Sequence, residues 1–95
     1  MRMIWCTEAS QDVEALYQEL RGRSDWAASR LIRLIQMNTA NLLSKPAIGR
    51  PMDDDTGRRE LFIRFGPGAY VIRYRMINPA SLAIIRISHV EEVPD

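Results

Sequence analysis

Three strand-length segments in the C-terminal half of the chain place arginine at alternate positions among Val, Ile, Phe and Tyr. The segments are 61–65, 71–76 and 82–88, separated by Gly66-Pro67-Gly68 and by Asn78-Pro79. Successive side chains of a strand point to opposite faces, so this period of two indicates half-buried strands joined by turns. We therefore predict an antiparallel meander with one apolar face and one arginine-bearing face. Strict alternation in the third segment places Arg86 on the side of Leu82 and Ile84.

The N-terminal half predicts a short strand and two helices. The apolar run at 3–6 is too brief for a helix and is consistent with a first strand. Thr7 or Ser10 is expected to cap a first helix, which ends at Arg21-Gly22-Arg23. Ser24-Asp25 is expected to cap a second helix that runs to about Leu43. Each helix carries apolar residues at helical spacing: Val13, Leu16, Tyr17 and Leu20 on the first, and Ala28, Leu31, Ile32, Ile35 and Leu42 on the second.

The order of these elements predicts an α+β fold. The turn between the helices is short, so they should form an antiparallel αα-hairpin packed on the sheet, in the order β-α-α-β-β-β. The segment 44–57 holds prolines, glycines and three consecutive aspartates, and we predict a loop without regular structure. Trp5 and Trp26 are assigned to the interface between the sheet and the helices. With 95 residues, the chain is expected to be a single domain spanning 1–95.

Charge is distributed unevenly although the formal net charge is +1. Residues 1–57 carry seven basic and eight acidic side chains, whereas residues 58–90 carry six arginines and one acid, Glu60. We therefore predict a positive surface for binding a target or a partner, because guanidinium groups pair well with carboxylates and phosphates. Its residues are Arg58, Arg59, Arg64, Arg73, Arg75 and Arg86.

Several kinds of site lack the residues they need. One histidine and one cysteine, Cys6, cannot supply a usual transition-metal site, and the acidic run 53–55 lacks the glycine turn and distal glutamate of a calcium loop. Neither a P-loop nor a dinucleotide-binding glycine motif occurs. We expect no metal and no cofactor. No apolar run is long enough to span a membrane and no secretory signal is evident, so we expect a soluble protein in the cytoplasm that does not associate with membranes.

His89 is the one side chain with obvious potential as a general acid. If the protein is a ribonuclease, His89 could protonate the leaving oxygen while Arg86 and Arg73 hold the phosphate. The alternative interpretation is a partly exposed histidine at the end of a strand. Tyr70 and Tyr74 could stack on bases, but we expect Tyr74 to pack in the core.

The order of elements, together with four motifs, resembles the RelE/ParE superfamily of bacterial toxins from type II toxin-antitoxin systems. The motifs are Ile48-Gly49-Arg50-Pro51, Arg59-Glu60-Leu61, Tyr70-Val71-Ile72-Arg73-Tyr74-Arg75 and Ile84-Ile85-Arg86-Ile87-Ser88-His89. The resemblance covers nearly the whole chain and implies a twisted, mainly antiparallel sheet packed against an N-terminal helical hairpin. The first two motifs look like the ParE-like branch. The tail 90–95 departs from the superfamily because it is acidic.

The resemblance implies a toxin that arrests growth and is neutralised by a cognate antitoxin in a hetero-oligomer. The ParE-like branch is associated with plasmid stabilisation and with poisoning DNA gyrase, which would need a binding surface and no chemistry. The alternative, typical of the RelE-like branch, is an endoribonuclease that cleaves mRNA on the ribosome.

Overall fold

The computed structural model of the protein describes residues 1–94, and Asp95, the last residue of the acidic tail, lies outside the described residues. The elements are β1 (Arg2–Trp5), α1 (Thr7–Arg21), α2 (Asp25–Ser44), β2 (Arg50–Pro51), β3 (Arg59–Phe65), β4 (Gly68–Asn78) and β5 (Ser81–Val90). The predicted α+β fold and the order of one strand, two helices and a three-stranded meander are confirmed. The short strand β2 is an addition that the sequence did not predict.

The five strands form one sheet in the order β1-β5-β4-β3-β2. β3, β4 and β5 pair antiparallel, as their turn-linked alternation predicts. β1 instead pairs parallel to β5, with Met3 opposite Leu82. β1 is therefore an edge strand of the sheet, and it lies beside β5.

The two helices form the predicted hairpin, but only the second has its predicted cap. The Ser24 hydroxyl accepts a hydrogen bond of 3.1 Å from the Ala27 N–H at the start of α2, which satisfies one of the free donors of the first turn. α1 begins at Thr7, its N-cap is Cys6, and no side chain caps it. The expected cap at Thr7 or Ser10 is therefore wrong, because both residues already lie inside the helix.

The core lies between the helices and one face of the sheet, which we call the inner face. A single cluster joins Leu31, Ile35 and Leu42 of α2 to strand residues, all of them at most 6% exposed: Ile63, Tyr70, Ile72, Tyr74, Leu82, Ile84 and Ile87. Burying each large aliphatic side chain contributes about 1.5–3 kcal/mol. The predicted place of Tyr74 in the core is confirmed. Trp26, however, is 67% exposed, so its assignment to the sheet–helix interface is wrong.

A β-bulge at Ile85 changes the faces of β5. Tyr74 is opposite Ile84, whereas the preceding residue Arg73 is opposite Arg86, so Ile85 has no partner in the register. Strict alternation would keep Arg86 on the side of Ile84. The bulge instead turns Arg86 to the face of Arg73, which corrects the predicted placement.

The loop before β3 is more ordered than predicted because Tyr74 anchors it. The buried Tyr74 hydroxyl donates to the Pro46 carbonyl at 2.9 Å and accepts from the Gly49 N–H at 2.8 Å. Arg59 adds a hydrogen bond of 2.7 Å to the Gly49 carbonyl. The chain thereby reaches β3 in register, and Arg50 pairs opposite Glu60 to form β2.

Gly49 is required at this anchor. A Cβ there would lie 2.6 Å from the Tyr74 hydroxyl oxygen, so we expect Gly49→Ala to lower the free energy of unfolding by about 1–3 kcal/mol, the usual range for overpacking. Tyr74→Phe removes both hydroxyl bonds and should cost about 1–3 kcal/mol through unsatisfied groups. Urea denaturation measures both, and Gly22→Ala, where the nearest atom would be 3.4 Å away, is the control. Wild-type stability in Gly49→Ala would contradict this anchor.

Candidate functional site

The face of the sheet opposite the helices, which we call the outer face, collects most of the predicted arginines. Residues directly opposite in antiparallel strands share a face, and the register aligns Glu60 with Arg73 and Arg73 with Arg86. The outer face therefore contains Glu60, Phe62, Arg64, Val71, Arg73, Arg75, Arg86 and Ser88. The structure thus brings four of the six predicted surface arginines, Arg64, Arg73, Arg75 and Arg86, to one side of the sheet.

A row of charge crosses this face. Arg50, Glu60, Arg73 and Arg86 lie opposite one another on β2, β3, β4 and β5. Arg73 donates from Nε to Glu60 at 2.9 Å, and the Glu60 side chain is 16% exposed. The guanidinium of Arg50 lies over the Phe62 ring, 5.8 Å from its centroid. Arg73 and Arg86 face each other as like charges, which is unfavourable unless acids compensate them.

The acid that compensates Arg86 comes from α1. Asp12 accepts hydrogen bonds from Arg86 Nε at 2.8 Å and Nη2 at 3.1 Å, and from the Ile87 N–H at 2.9 Å. β1 pairs with β5 as far as Trp5 opposite Ile84. Beyond that point Asp12, rather than a strand, accepts the hydrogen bond from the Ile87 N–H. The hydrogen bonds from Arg86, together with the one from the Ile87 N–H, lower the pKa of Asp12 despite its partial burial. No sequence signal marked Asp12, because its partners are more than 70 residues away.

The remaining predicted arginines have different surroundings. Arg64 and Arg75 are exposed, and neither forms an ion pair within residues 1–94. Arg59 is opposite Tyr74 on the inner face and binds the carbonyls of Ala47 and Gly49. Arg58 directly precedes β3, and its Nε is buried with no hydrogen-bond partner among the described residues. Arg59 thus supports the loop, whereas Arg64 and Arg75 are available to a partner.

His89 lies on the inner face, away from the arginines proposed as its catalytic partners. It is opposite Tyr70, and the two rings meet edge to face at 5.1 Å. A Cβ on Gly68 would be 2.7 Å from His89 Nε2, so the absence of a side chain there makes room for the imidazole. His89 borders a cavity of about 240 Å³ with Tyr70 and α1 residues Leu16, Glu19, Leu20 and the nearby Arg23. Arg86 and His89, three residues apart on a regular part of β5, project to opposite faces.

Within the described part of the chain, no group of three or more His, Cys, Asp or Glu side chains is arranged to hold a metal ion. Among the same residues, no helix is long and apolar enough to cross a membrane.

Comparisons with known proteins agree with this architecture. Residues 3–94 match the family model described as the ParE toxin of the type II toxin-antitoxin system parDE. Two curated relatives come from Caulobacter vibrioides: Toxin RelE1, 38% identical over 85% of this chain and 84% of the relative, and Toxin RelE3, 35% identical over 85% of each. A solved structure titled a chromosomal ParDE system from P. aeruginosa superimposes with a TM-score of 0.76 at 23% identity, covering 96% of this chain and 97% of that one. The chain therefore belongs to the ParE toxin family of type II toxin-antitoxin systems, which confirms the predicted superfamily.

The Asp12 cluster predicts a specific acid sensitivity. A folded-state pKa below the unfolded value means that Asp12 stabilises the fold above about pH 4 and that this contribution is lost as the pH falls through the lowered folded pKa. We expect Asp12→Ala to cost about 1.5–3 kcal/mol near neutral pH, since charged hydrogen bonds are lost, and to lose less stability than wild type on acidification. Thermal melts from pH 7 to 3 measure this difference, with exposed Glu14→Ala as the control. Parallel pH profiles for Asp12→Ala and wild type would refute it.

Proposed function

We propose that this type II toxin arrests growth by binding DNA gyrase in the cytoplasm through its outer face, without chemistry or a cofactor of its own. The whole chain acts as one toxin domain in this proposal. A cognate antitoxin neutralises it in a hetero-oligomer. Plasmid stabilisation would follow where such a gene pair is carried on a plasmid, since loss of the genes would leave the toxin unopposed.

The observation that carries the proposal is the separation of the groups a ribonuclease would need. A general acid must reach the leaving oxygen while the phosphate is held nearby. His89 packs against Tyr70 on the inner face, whereas Arg73 and Arg86 are on the outer face and bound to Glu60 and Asp12. This separation favours a protein-binding toxin over the ribosome-dependent endoribonuclease.

The outer face has the properties of a surface for an acidic protein target. Arg64 and Arg75 are exposed and flank the paired arginines of the central row. The half-buried Phe62 lies next to that row. Positive surfaces of this kind accelerate encounter with acidic partners and fix their orientation. Arg73 and Arg86 are held in place by Glu60 and Asp12. Their remaining N–H groups are still available to a partner.

The first test is inhibition of gyrase in vitro. Purified toxin should block supercoiling by gyrase, and induction in cells should trigger a DNA-damage response. The double variant Arg64→Glu/Arg75→Glu should weaken inhibition by at least about tenfold, because reversing charges at an interface disfavours the encounter. Arg21→Glu on α1 is the matched exposed control. Full supercoiling in the presence of folded wild-type toxin would exclude gyrase as the target.

The second test concerns His89. We expect His89→Gln and His89→Ala to arrest growth as strongly as wild type, because the imidazole performs no proton transfer. Colony counts after induction, together with circular dichroism to verify folding, measure this. If both variants fold but fail to arrest growth, and wild type cleaves mRNA on purified ribosomes, the endoribonuclease function replaces the one proposed.

A further inference from the structure

The cavity of about 240 Å³ beside His89 lies on the inner side of the sheet, between the C-terminal part of α1 and the strands β4 and β5. We call it the α1 cavity. It is smaller than the roughly 300–1,000 Å³ of drug-sized ligand sites, so it suits a small molecule. Its lining combines apolar and polar side chains from both layers of the fold: Leu16, Glu19, Leu20, Arg23, Tyr70 and His89. None of these residues belongs to the outer face, so the α1 cavity is separate from the surface proposed to bind gyrase.

The Tyr70 hydroxyl in this cavity is a polar group that the fold leaves without a partner. Tyr70 is only 6% exposed, and its ring packs edge to face against Phe65 and His89. Its hydroxyl, however, forms no hydrogen bond with any other side chain or backbone group of residues 1–94. A buried tyrosine hydroxyl normally has such a partner, as Tyr74 does. The Tyr70 hydroxyl is therefore available to a molecule that enters the cavity.

Both charged residues of the cavity act on this hydroxyl. Burial raises the pKa of Tyr70, the charge of Glu19 raises it further, and the charge of Arg23 lowers it. The hydroxyl therefore lies within electrostatic reach of both side chains. Arg23 and Glu19 are four positions apart, and their contact of 3.8 Å joins side chains that are 77% and 70% exposed. An exposed ion pair of this length contributes little to stability, so a ligand can separate the two charges at little cost.

The cavity thus offers one cation, one anion and one neutral hydroxyl beside an apolar floor. The Arg23 guanidinium and the Tyr70 hydroxyl can both donate to one carboxylate, the anion that guanidinium groups pair with best alongside phosphate. Glu19 can accept from an ammonium group, and it lies in the last turn of α1, where the negative end of the helix dipole also favours a positive charge. The floor consists of Leu16 and Leu20, which are half-buried and can pack against an aliphatic group. A small zwitterion with an apolar side chain matches all of these features.

We propose that the α1 cavity binds a free α-amino acid with an apolar side chain. Arg23 and Tyr70 bind its carboxylate, and Glu19 binds its ammonium group. The two leucines of the floor contact its side chain, and the ring of His89 forms the remaining wall. This site does not depend on the proposed function, because it shares no residue with the outer face and needs no partner protein.

The test is an NMR titration of the purified, isotope-labelled toxin with L-leucine as the probe. Leucine should shift the amide signals of the cavity residues in a saturable way, and at saturation it should raise the melting temperature, because it binds the folded state alone. Two analogues examine the charges separately: isocaproate lacks the ammonium group of leucine, and isoamylamine lacks its carboxylate. Each analogue should bind at least about tenfold more weakly than leucine, because each leaves a charged hydrogen bond unmade.

Three conservative variants assign the contacts to individual side chains. Arg23→Gln should weaken leucine binding about tenfold and leave isoamylamine binding unchanged, whereas Glu19→Gln should weaken leucine binding and leave isocaproate binding no weaker. Tyr70→Phe should also weaken leucine binding about tenfold. Without ligand it should melt no lower than wild type, because its hydroxyl has no partner to lose. Arg21→Gln, which changes an exposed residue of α1 outside the cavity, is the matched control and should bind leucine as wild type does.

Other results would overturn the proposal. If leucine near its solubility limit produces no saturable shifts, the cavity is not an amino-acid site. If isocaproate or inorganic phosphate binds as tightly as leucine, the cavity is a general anion site and Glu19 has no part in recognition. If leucine binds but Arg23→Gln and Tyr70→Phe bind it equally well, the ligand occupies another part of the molecule. The gyrase test involves different residues, so its failure would leave this inference intact.

Discussion

The register of β5 against β4 is the constraint on which the arrangement of functional groups depends. A shift of one residue in a strand exchanges its two faces, and the bulge at Ile85 makes such a shift in the middle of β5. Before the bulge, Leu82 and Ile84 fill the core. After it, Ile87 fills the core, Arg86 joins the arginines of β4 and His89 turns toward the helices. One unpaired residue thus places Arg86 on the side of the arginines of β4 and turns His89 to the other side.

Electrostatic pairing then distributes the arginines among different roles. Arg73 and Arg86, which face each other across two strands, are each bound by a partly buried carboxylate. Arg59 holds the loop before β3. Arg64 and Arg75 stay exposed, as do Arg30 and Arg33 on α2. A high arginine content therefore does not by itself define an interface, because Arg59, Arg73 and Arg86 stabilise the fold, whereas Arg64 and Arg75 remain for partners.

Periodicity was sufficient to predict most of the fold, since apolar spacing distinguishes helices from strands and Gly-Pro and Asn-Pro pairs mark the turns. It could not predict the bulge, which depends on the fit between two strands, or β2, which depends on the distant hydroxyl of Tyr74. For the site, the arginine-bearing face followed from alternation. The pairing of Asp12 with Arg86 did not, because it joins residues 74 positions apart. The exposure of Trp26 was also missed, since a tryptophan next to a helical stripe is usually buried and its position at the second residue of α2 carried no contrary signal.

The parallel pairing of β1 with β5 has a consequence for synthesis of the protein on the ribosome. β1 emerges early, but each of its residues pairs with a residue of β5 that lies 79 positions further along the chain. Until β5 leaves the exit tunnel, the helical hairpin has no completed sheet to cover it, and Arg73 lacks its neighbour across β4 and β5. The sheet is completed only after β5 has emerged, because pairing between strands distant in sequence forms slowly. The row of Arg50, Glu60, Arg73 and Arg86 across the outer face is therefore assembled last.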